Sequence, residues 1–178
     1  MLQLRRFCFA LLTGLVLTLA GRPAHATEVG TARTFGLGFA LGDPMSFVGK
    51  VFVSPRNAID FGVGFFSLWN RCRRENGTRV CGGWGSVTFN ADYLWQFEIV
   101  RGRKAKLDWH IGAGGRLWLA NNDTNQDLAI AGRMPVGIDL TFDKPNFIEV
   151  YLEVAPATYF YPDFGLDPEA NLGGRFYF

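Results

Sequence analysis

From about Thr34 onward, bulky apolar side chains recur at every second position, and small or charged ones fill the places between. Phe35, Leu37, Phe39 and Leu41 are followed by Ile59, Phe61, Val63 and Phe65. Phe89, Tyr93, Trp95 and Phe97 come next, and later Ile148, Val150, Leu152 and Val154. A period of two is the signature of β-strands with two unlike faces. The interleaved phase holds Gly36, Gly38, Gly62, Gly64, Gly112 and Gly114 together with most of the charges. Volume then decides which face lies inside. A small closed barrel leaves room within only for its own side chains. Stacked rings overfill that space, whereas glycines and a few long charged chains fit it. The apolar phase is therefore expected to face outward, where hydrocarbon receives it. A soluble, lipocalin-like barrel with the phases reversed is the alternative.

Turn chemistry divides the pattern into eight expected strands, at about 34–41, 46–53, 58–67, 86–98, 107–119, 128–142, 147–155 and 170–178. The expected fold is all-β, an eight-stranded antiparallel up-and-down transmembrane β-barrel over residues 27–178. An aromatic loop with Pro156, Tyr159, Tyr161, Pro162 and Pro168 is expected to join the last two strands, with Tyr159, Phe160, Tyr161 and Phe164 as an adhesive patch. Even strand number puts both ends of the barrel segment on one side. Long outer connections would face away from it. Trp69 and Trp84, and toward the other rim Trp95 and Trp109, suit interfacial girdles.

Residues 1–26 read as a secretory signal peptide. Arg5 and Arg6 precede the apolar run Phe7 to Ala20, and Ala24-His25-Ala26 supplies the cleavage pattern. The run is shorter than the roughly 20 residues of a spanning helix. The signal carries three of the 18 Lys and Arg residues and none of the 16 Asp and Glu, so the remainder is 15 against 16, a net charge of −1. No nucleic-acid partner is expected on that balance. With no long apolar helix, a membrane location requires a closed barrel, which leaves no backbone group unpaired in lipid. Export also favours oxidised cysteines. Cys72 and Cys81 bracket a short loop, and a disulfide there would contribute about 2–3 kcal/mol. A metal pair is the alternative, but neither His nor further Cys lies nearby.

The closing segment, Ala170 to Phe178, alternates and stops on an aromatic residue. It resembles the C-terminal signal of bacterial outer-membrane barrels. That resemblance implies Phe176 and Phe178 as the assembly signal, read by the outer-membrane barrel assembly machinery. Further stretches carry a wider likeness: Gly42-Asp43-Pro44, Asn57 to Gly62, Ala91 to Trp95, Gly112 to Arg116, Pro135-Val136-Gly137, Glu153 to Pro156 and Arg175 to Phe178. On these the chain resembles the small eight-stranded barrels exemplified by the transmembrane domain of outer-membrane protein A. It is more closely similar to a family of uncharacterised bacterial outer-membrane proteins. The resemblance implies an integral outer-membrane location but no catalytic residue.

The inward charges form the richest constellation: Lys50, Arg116, Arg133 and Arg175 against Asp60, Asp92, Asp139, Glu149 and Glu153. Near balance points to a salt-bridge network filling the lumen, with pairs such as Arg133 or Arg175 to Glu149 or Glu153. A narrow pore is the competing reading. A lipid-modifying enzyme is the third, but it needs a nucleophile and base within reach. His110 has only Asp108 and Glu98 near it in sequence, and its strand holds no serine. No enzymatic activity, cofactor or metal is therefore expected. Asp123 to Asp127 begins like a calcium loop, but Leu128 and Met134 stand where glycine and glutamate are needed. It reads as a solvated loop. Arg71, Arg73, Arg74 and Arg79 make the cysteine loop basic, suiting lipopolysaccharide or another polyanion. The expectation is a monomer with a structural or surface-interaction role.

Overall fold

The computed structural model describes residues 29–66, 72–75, 78–81, 86–122, 125–162 and 164–178. The expected signal peptide, Trp69, Arg71 and Trp84 lie outside them. Eleven strands are described: β1 (Phe35–Gly42), β2 (Met45–Ser54), β3 (Asn57–Phe66), β4 (Cys72–Glu75), β5 (Thr78–Cys81), β6 (Ser86–Arg101), β7 (Ala105–Asn122), β8 (Asn125–Arg133), β9 (Val136–Phe142), β10 (Ile148–Tyr161) and β11 (Gly165–Tyr177). Nine of them form one antiparallel sheet, and β4 and β5 form a separate hairpin. The sheet closes on itself. β11 pairs with β1 from Gly36↔Tyr177 to Gly42↔Asn171 and with β10 on its other side, joining the first and last strands of the chain into a ring.

The expected eight strands are thus corrected to nine in the ring. The extra one arises at Met134-Pro135, where the segment expected over 128–142 is cut into β8 and β9. Proline has no N–H for the ladder, so the strand breaks there. The register does not. β7 pairs Ile111↔Val136 with β9 and Gly114↔Arg133 with β8, and β10 pairs Val154↔Val136 and Ala157↔Arg133. Backbone bonds stitch the gap from both sides, Gly112 N donating to Pro135 O at 2.8 Å and Met134 N to Pro156 O at 3.1 Å.

A second correction concerns the outer connections. The aromatic segment after residue 155 is strand, with β10 and β11 paired through Thr158↔Leu166 and Tyr159↔Gly165. β-branched and aromatic residues favour the ladder there, and the prolines do not interrupt it. Pro156 faces the β8–β9 break and Pro168 lies beyond the last β1 partner. Neither position needs an N–H from them. Likewise the expected loop over 121–127 is mostly hairpin, with Asn121↔Gln126 and Asn122↔Asn125, and only 123–124 lie outside the described residues.

The expected inside-out pattern is the observed one. Phe47 is 64% exposed, whereas Lys50 on the same strand is fully buried. Along β10 every even position from Val150 to Val154 is exposed and every odd one buried. Two inward glycines make this possible at the seam. A side chain at Gly36 would meet the Tyr177 ring at 2.8 Å, and one at Gly173 would collide with the Tyr151 ring. The missing Cβ atoms let both tyrosines lie flat against the wall.

Candidate functional site: the charged lumen

All nine charges expected inside the ring are buried there. They come from β2, β3, β6, β7, β8, β9, β10 and β11, so the tube places residues far apart in sequence within hydrogen-bond reach. Arg175 of β11 is a hub. Its Nη1 donates to Glu149 Oε1 at 2.7 Å and its Nη2 to Asp60, while the guanidinium lies 3.8 Å from the Tyr151 ring centre. Glu149 is further held by Lys50 Nζ at 3.3 Å and by the Tyr177 hydroxyl at 3.0 Å. Lys50 also lies 3.5 Å from Asp139.

Arg133 is the second hub. It donates to Glu153 at 2.7 Å and approaches Asp92 at 3.4 Å and Glu169 at 3.5 Å. Arg116 donates to Glu169 and lies 3.7 Å from Asp167. His110 connects the two halves: Nδ1 is 2.7 Å from Asp139 Oδ2 and Nε2 is 3.2 Å from Glu153 Oε2. Gln96 donates to the same Asp139 oxygen at 2.9 Å. The chain of contacts runs without interruption from Asp60 through Arg175, Glu149, Lys50, Asp139, His110, Glu153, Arg133 and Glu169 to Arg116.

The sequence neighbours of His110 are not its partners. Asp108 binds Lys106 at 2.8 Å and Glu98 binds Arg101 at 2.6 Å, both toward the rim that carries residues 29 and 178. Histidine instead reaches across to β9 and β10. The reading of the residues also missed Glu169, which is almost fully buried. It shares the phase of Asn171, Gly173 and Arg175, and extending that alternation two residues further back would have found it. Pro168 concealed the strand.

Apolar clusters flank the charged region. Val29, Phe52, Ala58, Leu94 and Tyr177 cluster toward the rim bearing the termini. Ala129, Ala131, Ala157 and Tyr159, with Trp118 against them, form a second cluster toward the opposite end. Between the charges, a cavity of about 20 Å³ bordered by Ser46, Asp60, Asn90, Glu153 and Asn171 has room for about one water molecule. Burial of Tyr159 also corrects the adhesive patch: it points inward, leaving Phe160, Tyr161 and Phe164 exposed.

Outside the ring, Phe176 and Phe178 point outward. Register sets Cys72 directly opposite Cys81, and Arg73 and Arg74 opposite Val80 and Arg79. Opposed positions on antiparallel strands fall within the Cα separation that a disulfide spans.

No curated protein matches the chain. Among solved structures, it is similar to the N-terminal β-barrel domain of Pseudomonas aeruginosa OprF. The two are 12% identical with a TM-score of 0.47, over 81% of this chain and 95% of that one. A family model matches residues 26–162, and the chain therefore belongs to the family described as "Protein of unknown function (DUF3996)".

Proposed function

We propose that this chain is an integral outer-membrane β-barrel, with β8 and β9 acting as one stave of an eight-staved wall. Its role is structural or surface-interacting, and its lumen is plugged. The observation that carries this reading is the inverted ring. Large apolar side chains such as Phe47, Leu152 and Phe176 cover the outside, while Lys50, Arg175 and Glu149 are buried within. Water does not stabilise a continuous outer band of that kind, and lipid does. The closed strand order supports it, since the ring leaves no strand edge without a neighbour.

Arg175, Lys50 and His110 across the axis, with apolar clusters at either end, favour a lumen closed to solutes over a pore. Catalysis forms no part of the proposal, because His110 is engaged by two carboxylates deep inside. The cysteine hairpin is proposed to be disulfide-tied and, through Arg71, Arg73, Arg74 and Arg79, to contact lipopolysaccharide or another polyanion. Phe176 and Phe178 are proposed to be read by the barrel assembly machinery, and the barrel to act as a monomer.

Fractionation of cells producing the full chain, with gel mobility before and after heating, tests the location. Recovery in the outer membrane with a heat-dependent shift is expected. A water-soluble product would overturn the reading. Planar-bilayer recordings should show no stepwise conductance; discrete steps would replace the plugged lumen with a pore.

A further inference from the structure

One rim of the ring exposes an excess of positive charge. At the rim carrying residues 29 and 178, the connections are the turns after β2, β6 and β9. They are tied to their neighbours by backbone bonds, Gln96 N to Arg56 O at 2.8 Å and Asp143 N to Lys104 O at 2.9 Å. These turns present Arg56, Arg103, Lys104 and Lys144, all exposed and none with an ion-pair partner among the described residues. The acids of the same rim are Glu98, Asp108 and Asp143, of which the first two are taken up by Arg101 and Lys106. Asp143 alone then stands against four cations, so a cationic collar remains.

Just inside this collar the outer wall is aromatic. Phe97 stacks on Trp109 at 4.7 Å, Tyr93 contacts Trp95 at 5.1 Å, and Phe147 lies 6.3 Å from Phe176. Aromatic rings of this kind settle at the level where acyl chains meet headgroups. Cations one turn beyond them are then level with the phosphates. Resting on the membrane reading above, we propose that this collar is a docking surface for anionic phospholipid headgroups of the adjoining leaflet. The partner follows from charge complementarity and from continuity with the aromatic band. Each cation near an anionic bilayer surface gains roughly a fivefold preference, so four free ones give a clear selectivity even after screening.

The test uses the full chain reconstituted in bilayers, with Trp69, Trp84 and Trp118 replaced by Phe so that Trp95 and Trp109 report on the collar. Quenching by brominated phosphatidylglycerol is compared with quenching by brominated phosphatidylcholine. A preference of about tenfold for the anionic lipid is expected, falling as salt is raised. It should disappear in the R56Q/R103Q/K104Q/K144Q variant, which should still fold with an unchanged heat shift. Equal quenching by both lipids, or a preference that survives the four substitutions, would overturn the collar. So would a wild-type barrel with no lipid preference that is captured by soluble polyglutamate, which would assign the collar to an acidic protein. A chain that never enters bilayers would instead overturn the membrane reading on which the collar rests.

Discussion

The middle of the lumen and its two ends solve one packing problem in opposite ways. In the middle, long charged side chains span the tube, and Arg175 alone joins β11 to β3 and β10. At the ends, small residues and rings do the filling, with Ala129, Ala131 and Ala157 leaving space for Tyr159. The difference teaches what each region needs. Buried charges are tolerable only when close partners neutralise them. Apolar clusters need only volume, and on the proposed plugged lumen they would strengthen the interactions between the charges.

The largest blow to that contrast should come from Arg175→Ala. It leaves the Asp60 and Glu149 carboxylates without their shared cation, and removing one partner of a buried pair costs about 3–5 kcal/mol. Urea unfolding of the reconstituted barrel should register that loss, and an unchanged midpoint would remove the hub from the account. Leu94→Ala comes next. It opens a void in the cap beside Ala58 and Phe52, at about 2–4 kcal/mol by the same measurement. It should leave the ionic middle intact, and an unchanged midpoint would remove the cap's packing from the account. Tyr159→Phe removes the hydroxyl that reaches Asp167 at 3.4 Å and keeps the ring. A cost of about 0.5–1.5 kcal/mol is expected, and a larger one would show that the far cap is held by its polar contact instead of its packing. Arg101→Gln at the exposed rim should be the mildest, below about 1 kcal/mol, since the Glu98 pair is solvent-screened.

The same contrast governs what could be read from the residues alone. Charges announce their face because alternation fixes it, so the sequence pattern alone puts Lys50, Asp60, Arg133, Glu149 and Arg175 inside. Some pairs follow as well, Arg175 with Glu149 and Arg133 with Glu153 being among those expected, but partners farther across the tube do not. Closure brings β11 against β1 and sets His110 against Asp139 and Glu153, and no local pattern encodes that proximity. Prolines misled in two directions. Pro135 breaks a strand that was expected to run through, whereas Pro156 and Pro168 sit where the ladder asks for no donor. The far cap was hidden for a related reason: alanines carry little signal, and Tyr159 reads the same in a loop as in a tube.

Every part of this account depends on which face meets lipid. The most direct measurement is a spin-label scan of β10 from Ile148 to Val154 in reconstituted bilayers, recording collisions with oxygen and with a water-soluble nickel complex. Oxygen access should peak at Ile148, Val150, Leu152 and Val154, with nickel excluded there and both reagents low at Glu149, Tyr151 and Glu153. Nickel access at the even positions, or no alternation at all, would contradict it.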